Sequence, residues 1–299
     1  MSSDRFFSAK LLLFGEHILL KGATAFAVPT PRFRGYWTKE KGPDEAVGKL
    51  QFKKSIDQLT ADLPIDLPRA NEEQLEGWYF ASNIPQGYGL GSSGAFCAGL
   101  LHRYGTKTYL TDTELKIDLA LLESSFHGKS SGIDPLTSYL NSPLLIKEQA
   151  VERLPATTAF PEGVTVFLLD TQQPRTTDLL VNWFLAKCTD PVFAYELEQQ
   201  LLPVHEQMIA SWLKGDKATF MDRLAFVSGW QWRFLPPMLP SGKSIQVLWQ
   251  AALAGQHTRL KICGAGGGGY VLGFTVEKEW VLEQVNQLQI PILFPFETC

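Results

Sequence analysis

The stretch with the clearest chemical potential is Pro85-Gln-Gly87-Tyr-Gly89-Leu-Gly91-Ser92-Ser93-Gly94, with four glycines within eight residues. Glycines at this density let the backbone take positive φ and approach a ligand closely. Ser92 and Ser93 then open an apolar helix, with a serine expected as its N-cap. The helix N-terminus below offers unpaired N–H groups and the positive end of the dipole, which suits an anion such as a phosphate. Three charged residues stand elsewhere. Lys10 is at the entrance of the apolar run Leu11-Leu-Leu-Phe14, and Glu123 is at the edge of a buried helical stripe. Asp134 precedes Pro135, which on its own reads as an N-cap followed by proline at the first helical position.

The elements that position these groups can be read in outline. Leu11 to Phe14 fits a strand buried on both faces, and residues 22–28 and 32–37 read as two further strands separated by Pro29 and Pro31. The aromatic run Glu76-Gly-Trp-Tyr-Phe-Ala81 should be the strand that feeds the glycine loop. Thr111-Asp-Thr-Glu114 is a capping box, and Leu115, Leu119, Leu122 and Phe126 form the stripe of the helix it starts. Gly128 should end that helix. A stretch rich in charge and proline from about 147 to 163 marks the boundary between two domains, residues 1–155 and 156–299. In the second half, Val164 to Asp170 reads as a strand, 178–188 and 193–213 as helices, and Gly242 to Ala254 as another helix. Arg259 to Cys263, Gly264 to Gly269 and Tyr270 to Thr275 then read as strand, glycine turn and strand. The pair Trp230 and Trp232 is expected in packing and not in a ligand platform.

Composition narrows the class. At 299 residues the chain can hold two domains of about 150 residues. Its 27 Lys and Arg against 31 Asp and Glu give a net charge of −4, which argues against a nucleic-acid or acidic-membrane partner. Four scattered cysteines show no zinc spacing and fit a reducing compartment, so a cytoplasmic location is expected, and no stretch reads as a signal core or a spanning helix.

Two glycine patterns imitate a dinucleotide site. Gly89-x-Gly91-x-x-Gly94 follows a strand and opens a helix, but the acidic residues about 20 positions on belong to the capping box. Gly264-x-Gly266-x-x-Gly269 runs into a strand, where no helix dipole would face a pyrophosphate. No Gly-Lys-Ser or Gly-Lys-Thr follows the glycines, so a P-loop is excluded.

Three separated segments together resemble one family, the GHMP small-molecule kinases, which include galactokinases, homoserine kinases, mevalonate kinases and phosphomevalonate kinases. They are Lys10-Leu-Leu-Leu-Phe-Gly15-Glu16-His17, the loop Pro85 to Ser93, and Lys261-Ile-Cys-Gly264-Ala-Gly-Gly-Gly-Gly269. Within the family, Glu123 followed by His127-Gly-Lys-Ser-Ser131-Gly132-Ile-Asp134, and Arg175-Thr-Thr177, are most similar to mevalonate kinases. Three positions depart from the pattern: Ser8-Ala9 stands where Pro-Gly is usual, Ser130 replaces a proline, and Gly94 replaces an alanine.

The resemblance implies an α+β kinase of two domains. The N-terminal domain would have a mixed sheet with the phosphate loop, the C-terminal one would be ferredoxin-like, and the active site would lie in the cleft between them. It implies ATP and Mg²⁺ as cofactors, with phosphoryl transfer to the hydroxyl of a small anionic acceptor, mevalonate first. Phosphomevalonate, a sugar or homoserine as acceptor, a related ATP-dependent decarboxylase, and a non-catalytic regulator binding a nucleotide or metabolite remain alternatives. The regulator would be expected to lack charged site groups. By resemblance Asp134 is the catalytic carboxylate, with Lys10 beside it and near the γ-phosphate. Gly87, Gly89, Gly91, Ser92, Ser93, Gly266 and Gly267 would hold the nucleotide, and Glu123 with the Ser93 hydroxyl would hold the metal. Glu16, His17 and Thr177 would be substrate contacts. A homodimer is a possible assembly.

Overall fold

The computed structural model describes residues 5–43, 45–128, 130–148, 150–155, 161–173 and 177–296, with the side chains of His127, Thr177 and Asp178 outside the description. Strand β1 (Phe7–Phe14) carries apolar residues on both faces, and Phe7, Ala9, Leu11 and Leu13 are fully buried. It pairs with β2 (Ala25–Thr38), a single strand that runs through both Pro29 and Pro31 and replaces the expected two. The reason is a slip in register. Ala9 faces Thr30 while Ser8 faces Arg34, so residues 31–33 bulge out of the ladder, where the missing N–H of Pro31 costs nothing. Pro29 stays in register opposite Lys10, whose own N–H turns away from β2 to Leu90.

After β2 come α1 (Glu45–Ile56) and α2 (Leu67–Leu75), then β3 (Tyr79–Ser82), which pairs with the far end of β2 and leads into the glycine loop. Helix α3 (Ser92–Tyr104) follows the loop, and α4 (Asp112–His127) starts on the expected capping box: the Thr111 hydroxyl accepts the Glu114 N–H while the Glu114 carboxylate accepts the Thr111 N–H. Helix α5 (Ile133–Leu140) and the hairpin β4 (Leu144–Lys147) and β5 (Ala150–Arg153) complete this half. Part of the charged stretch read as a linker is thus the edge strand β5, while residues 156–160 lie outside the described residues. The sheet was expected to be mixed, but among the described residues every pairing in it is antiparallel.

The second half begins with β6 (Thr165–Asp170) and α6 (Thr177–Lys187). Helix α7 (Pro191–Tyr195) passes through a π-helical turn, Glu196–Leu201, into α8 (Leu202–Leu213). Then follow α9 (Lys217–Phe234), α10 (Lys243–Ala254), β7 (Thr258–Ile262), β8 (Tyr270–Thr275), α11 (Lys278–Gln287) and β9 (Ile292–Leu293). Strand order β7-β8-β6-β9, all antiparallel, is the 2-3-1-4 order of a ferredoxin-like βαββαβ sheet. Trp230 and Trp232 sit in α9, where Trp230 packs on Phe193 and Phe234, and Trp232 lies against Trp249. Phe14 of β1 packs on Trp212, Phe220 and Phe274 of the second half, so one apolar core runs beneath both sheets.

Candidate active site

Lys10 lies inside β1, not at its entrance, and is 5 % exposed. Its backbone N–H donates to the Leu90 carbonyl of the glycine loop at 2.8 Å, which ties the strand to the loop. Its ammonium meets Asp134 Oδ1 at 2.6 Å. Two positions earlier on the same face of β1, the Ser8 hydroxyl donates to Asn141, the C-cap of α5. Helix α5 is therefore fastened to β1 at both ends, with Asp134 in its first turn. The N-cap of α5 is Gly132, in the left-handed region, and not Asp134. Freed from capping, the Asp134 carboxylate is held by Lys10 and by the positive end of its own helix.

The N-cap of α3 is likewise a glycine, Gly91 at φ 71°, in place of the expected serine. Ser92 and Ser93 are the first helical residues, and their N–H groups with that of Gly94 belong to the turn that an α-helix leaves without internal partners. Gly87 and Gly89 also adopt positive φ, which sustains the sharp approach of the loop to the helix end. A side chain at Gly91 would press on Asp134 Oδ2 at 3.2 Å, and one at Gly94 would lie 2.8 Å from the Asp134 and Pro135 backbone. The missing methyl at Gly94 is what lets α5 sit so close to α3.

Glu123, on α4, reaches the same place. It is 8 % exposed, and its two carboxylate oxygens accept hydrogen bonds from the Ser93 and Ser130 hydroxyls. Burial, with the Asp134 charge next in importance, pushes its carboxyl above the ordinary range despite those hydroxyls and Lys10. Among the described residues no group of three or more His, Cys, Asp or Glu surrounds a common point. Glu123 and Ser93 thus form a two-donor oxygen site. A buried carboxylate with too little positive charge around it suits a hard divalent cation that draws its other oxygens from bound phosphates and water.

The second glycine turn faces the first loop. A side chain at Gly269 would come within 3.1 Å of the Tyr88 backbone, and the Tyr88 and Tyr270 rings are 4.9 Å apart. The amides of Gly266 and Gly267, expected to hold the nucleotide, donate to the carbonyls of Cys263 and Met238. The Gly269 N–H donates to the Gln173 carbonyl. Those three N–H groups are already spoken for by protein acceptors.

His17 and Glu16 follow β1. His17 has φ 60°, a costly conformation for a residue with a side chain, and its Nε2–H donates to the Ala265 carbonyl of the second glycine turn while the ring packs on Phe184. Glu16, expected to contact substrate, has an ionic partner within the protein. Its carboxylate is buried and meets the buried Lys261 ammonium at 2.5 Å, so its charge is used within the protein. Burial still raises its pKa, ahead of the lowering by Lys261. The available signal was Lys261 set between Leu260 and Ile262 in a strand, since an ammonium buried there needs a partner. Of the other expected contacts, the Thr177 side chain, Arg175 and Thr176 lie outside the described residues. Thr177 itself begins α6.

A pocket of about 170 Å³ opens beside the loop between α1, β3 and α3. It is lined by apolar groups such as Val47, Ile84 and Phe96 and by the amides of Gln51 and Gln86, with Ser92 at its edge.

Residues 54–142, which include the first glycine loop, Glu123 and Asp134, match the family model of the GHMP kinases N terminal domain. No curated protein matches the chain by sequence. Solved structures do match in fold. The mevalonate kinase of L. major, solved with R-mevalonate, has 16 % identity and a TM-score of 0.66, covering 96 % of this chain and 92 % of its own. The phosphomevalonate kinase of Streptococcus pneumoniae, solved with phosphomevalonate and AMPPNP, has 14 % identity and a TM-score of 0.64, covering 97 % and 98 %. The galactokinase of Lactococcus lactis, solved with galactose, has 12 % identity and a TM-score of 0.62, covering 96 % and 91 %. The chain carries the two-sheet fold of the GHMP kinases, with a GHMP kinases N-terminal domain matched in its first half.

Proposed function

We propose that the protein is an ATP-dependent small-molecule kinase that transfers the γ-phosphoryl group to the hydroxyl of a small anionic acceptor, with mevalonate the first candidate. The observation that carries this reading is the Lys10–Asp134 pair, 2.6 Å apart, where the N-terminus of α3 opens beside the Ser93–Glu123 pair. An anion site, a cation, a carboxylate and a two-oxygen metal site converge there, and phosphoryl transfer consists mainly of positioning and charge stabilisation. The division into units 1–155 and 156–299, with the site between them, belongs to the same proposal.

In this reading the nucleobase enters the pocket beside Gln51 and Gln86, and the phosphates run along the glycine loop to the free N–H groups of Ser92, Ser93 and Gly94. Glu123 and Ser93 would hold magnesium, which supplies charge neutralisation to the phosphates. The acceptor hydroxyl lies against the Asp134 carboxylate. As its oxygen bonds to the γ-phosphorus, the bond to the β–γ bridging oxygen breaks, the hydroxyl proton passes to Asp134, and ADP leaves. Lys10, 2.6 Å from Asp134, holds that carboxylate in place and offsets negative charge on the transferring group.

Asp134→Asn should retain nucleotide binding, measured by calorimetry, and lose at least about a hundredfold in turnover, the scale of a positioned acid or base. Unchanged turnover would refute the mechanism. ADP release measured over mevalonate, phosphomevalonate, homoserine and hexoses assigns the acceptor. Release with none of them, while nucleotide still binds, would favour a regulator over a kinase.

A further inference from the structure

The Ser130 hydroxyl joins two parts of the site. It donates to Glu123 Oε2, and it accepts the N–H of Gly132, the N-cap of the helix that carries Asp134, at 3.0 Å. The Ser130 backbone is held in turn, its N–H donating to the Ser124 hydroxyl one residue beyond Glu123 on α4, also at 3.0 Å. With Ser93 on Oε1 at 2.9 Å, both oxygens of the Glu123 carboxylate are fixed in direction. Without Ser130 the carboxylate would be free to turn about its last bond, and only the Ser93 contact would remain. Glu123 and Asp134 also repel each other, so the acidic pair needs something that sets their relative position.

We propose that Ser130 is a positioning residue for the metal site, acting as a strut that aims the Glu123 carboxylate and at the same time pins the start of α5. The inference rests on the kinase reading above, since it assigns Glu123 to the metal. It adds a residue that touches neither the nucleotide nor the acceptor and acts through Glu123 and Gly132. The hydroxyl is the whole of the device. Alanine removes both hydrogen bonds, whereas threonine keeps the oxygen and adds a methyl group.

The test uses the full chain with ADP and Mn²⁺ as a spectroscopic substitute for magnesium. Free Mn²⁺ is followed by electron paramagnetic resonance as protein is added, for wild type, Ser130→Ala, Ser130→Thr and Ser93→Ala, each checked for an unchanged far-ultraviolet spectrum. Loss of an outer partner of a metal ligand typically costs 10- to 100-fold in metal affinity. Ser130→Ala should therefore weaken Mn²⁺ binding by about tenfold or more, with binding of ADP in the absence of metal unchanged. Ser130→Thr should restore most of the loss. In steady-state assays the Mg²⁺ concentration for half-maximal rate should rise for Ser130→Ala, while the KM for the acceptor stays within about twofold of wild type. Mn²⁺ affinity within about twofold of wild type for Ser130→Ala, alongside a clear loss for Ser93→Ala, would overturn the strut and leave the kinase reading standing. Equal losses for Ser130→Ala and Ser130→Thr would also overturn it, because a requirement for shape and not for a hydroxyl would then account for the effect. If the wild type binds no Mn²⁺ in the presence of ADP, the metal assignment and the strut fall together.

Discussion

An alanine at position 94 would place a methyl carbon 2.8 Å from the carbonyl carbon and Cβ of Asp134 and from the nitrogen of Pro135. Two of those three atoms are backbone, so no rotamer change relieves the contact. An ordinary contact begins near 3.4 Å, so α5 would have to retreat from α3 by about 0.6 Å. Asp134 would move with it, away from the phosphate end of α3. Since a misplacement of 1 Å can cost about a hundredfold in rate, about 0.6 Å should cost roughly ten- to thirtyfold in kcat. Stability should change far less. Alanine gains about 1 kcal/mol over glycine in a helix, and overpacking costs about 1–3 kcal/mol, so the net loss is about 0–2 kcal/mol. That corresponds to a fall of no more than about 8 °C in Tm. The assay is kcat and KM for ATP at saturating acceptor, with a thermal melt of the same preparation. The expected result is a fall in kcat with Tm nearly held and KM for ATP little changed. A variant with wild-type kcat would refute the reasoning, since it would mean either that α5 yields without moving the carboxylate or that the position of Asp134 does not govern the rate.

Lys261→Met should destabilise the protein by about 3–5 kcal/mol, because it leaves Glu16 buried without its partner, while Glu16→Leu combined with Lys261→Met should recover most of that loss. Urea melts measure both, and equal losses in the single and double variants would contradict the buried-pair account. Burial holds the pKa of His205 below its ordinary 6.5, so the unfolded chain takes up this proton first as pH falls. Its contribution is present above about pH 6.5 and is lost as pH drops towards the lower folded value. Wild type should therefore lose more unfolding free energy between pH 7.5 and 5.5 than His205→Gln, by up to about 1.4 kcal/mol per pH unit in urea melts, and parallel curves would exclude the effect.

Local signals were the most legible part of the sequence. The Thr111 to Glu114 capping box, the end of α4 at Gly128, and the strand–glycine turn–strand of the second half all depend on residues a few positions apart. The prolines of β2 misled for the opposite reason. Whether Pro31 ends a strand depends on a bulge whose partners lie in β1, which local pattern does not reveal, and Pro29 stays in the ladder opposite Lys10. Helix α9 was missed because its aromatic residues pack in several directions and form no single stripe, although Asp216, which accepts the Thr219 N–H, was a visible cap. At the site, Lys10, Glu123, Ser93 and Asp134 were identified through the family motifs, and the geometry brings all four together. Glu16 was assigned to substrate through the family resemblance, and its ion pair with Lys261 was not legible because Lys261 lies near the other end of the chain. Ser130 was visible only as a departure from a motif, since the use of its hydroxyl depends on where Glu123 points.

The contacts that close the site join residues far apart in the chain. Glu16 pairs with Lys261 across 245 positions, His17 bonds Ala265 across 248, and the Thr24 N–H and hydroxyl both donate to Glu206 across 182. During synthesis at about 5–20 residues per second, Glu16 would be made about ten to fifty seconds before Lys261, 245 positions later. Through that interval Glu16 has no ammonium to meet, and burying it charged would be costly. The end of β1 that carries Glu16 and His17 should therefore close late, when β7 arrives. A nascent chain stalled before residue 261 should expose this segment to protease, and release of the complete chain should protect it.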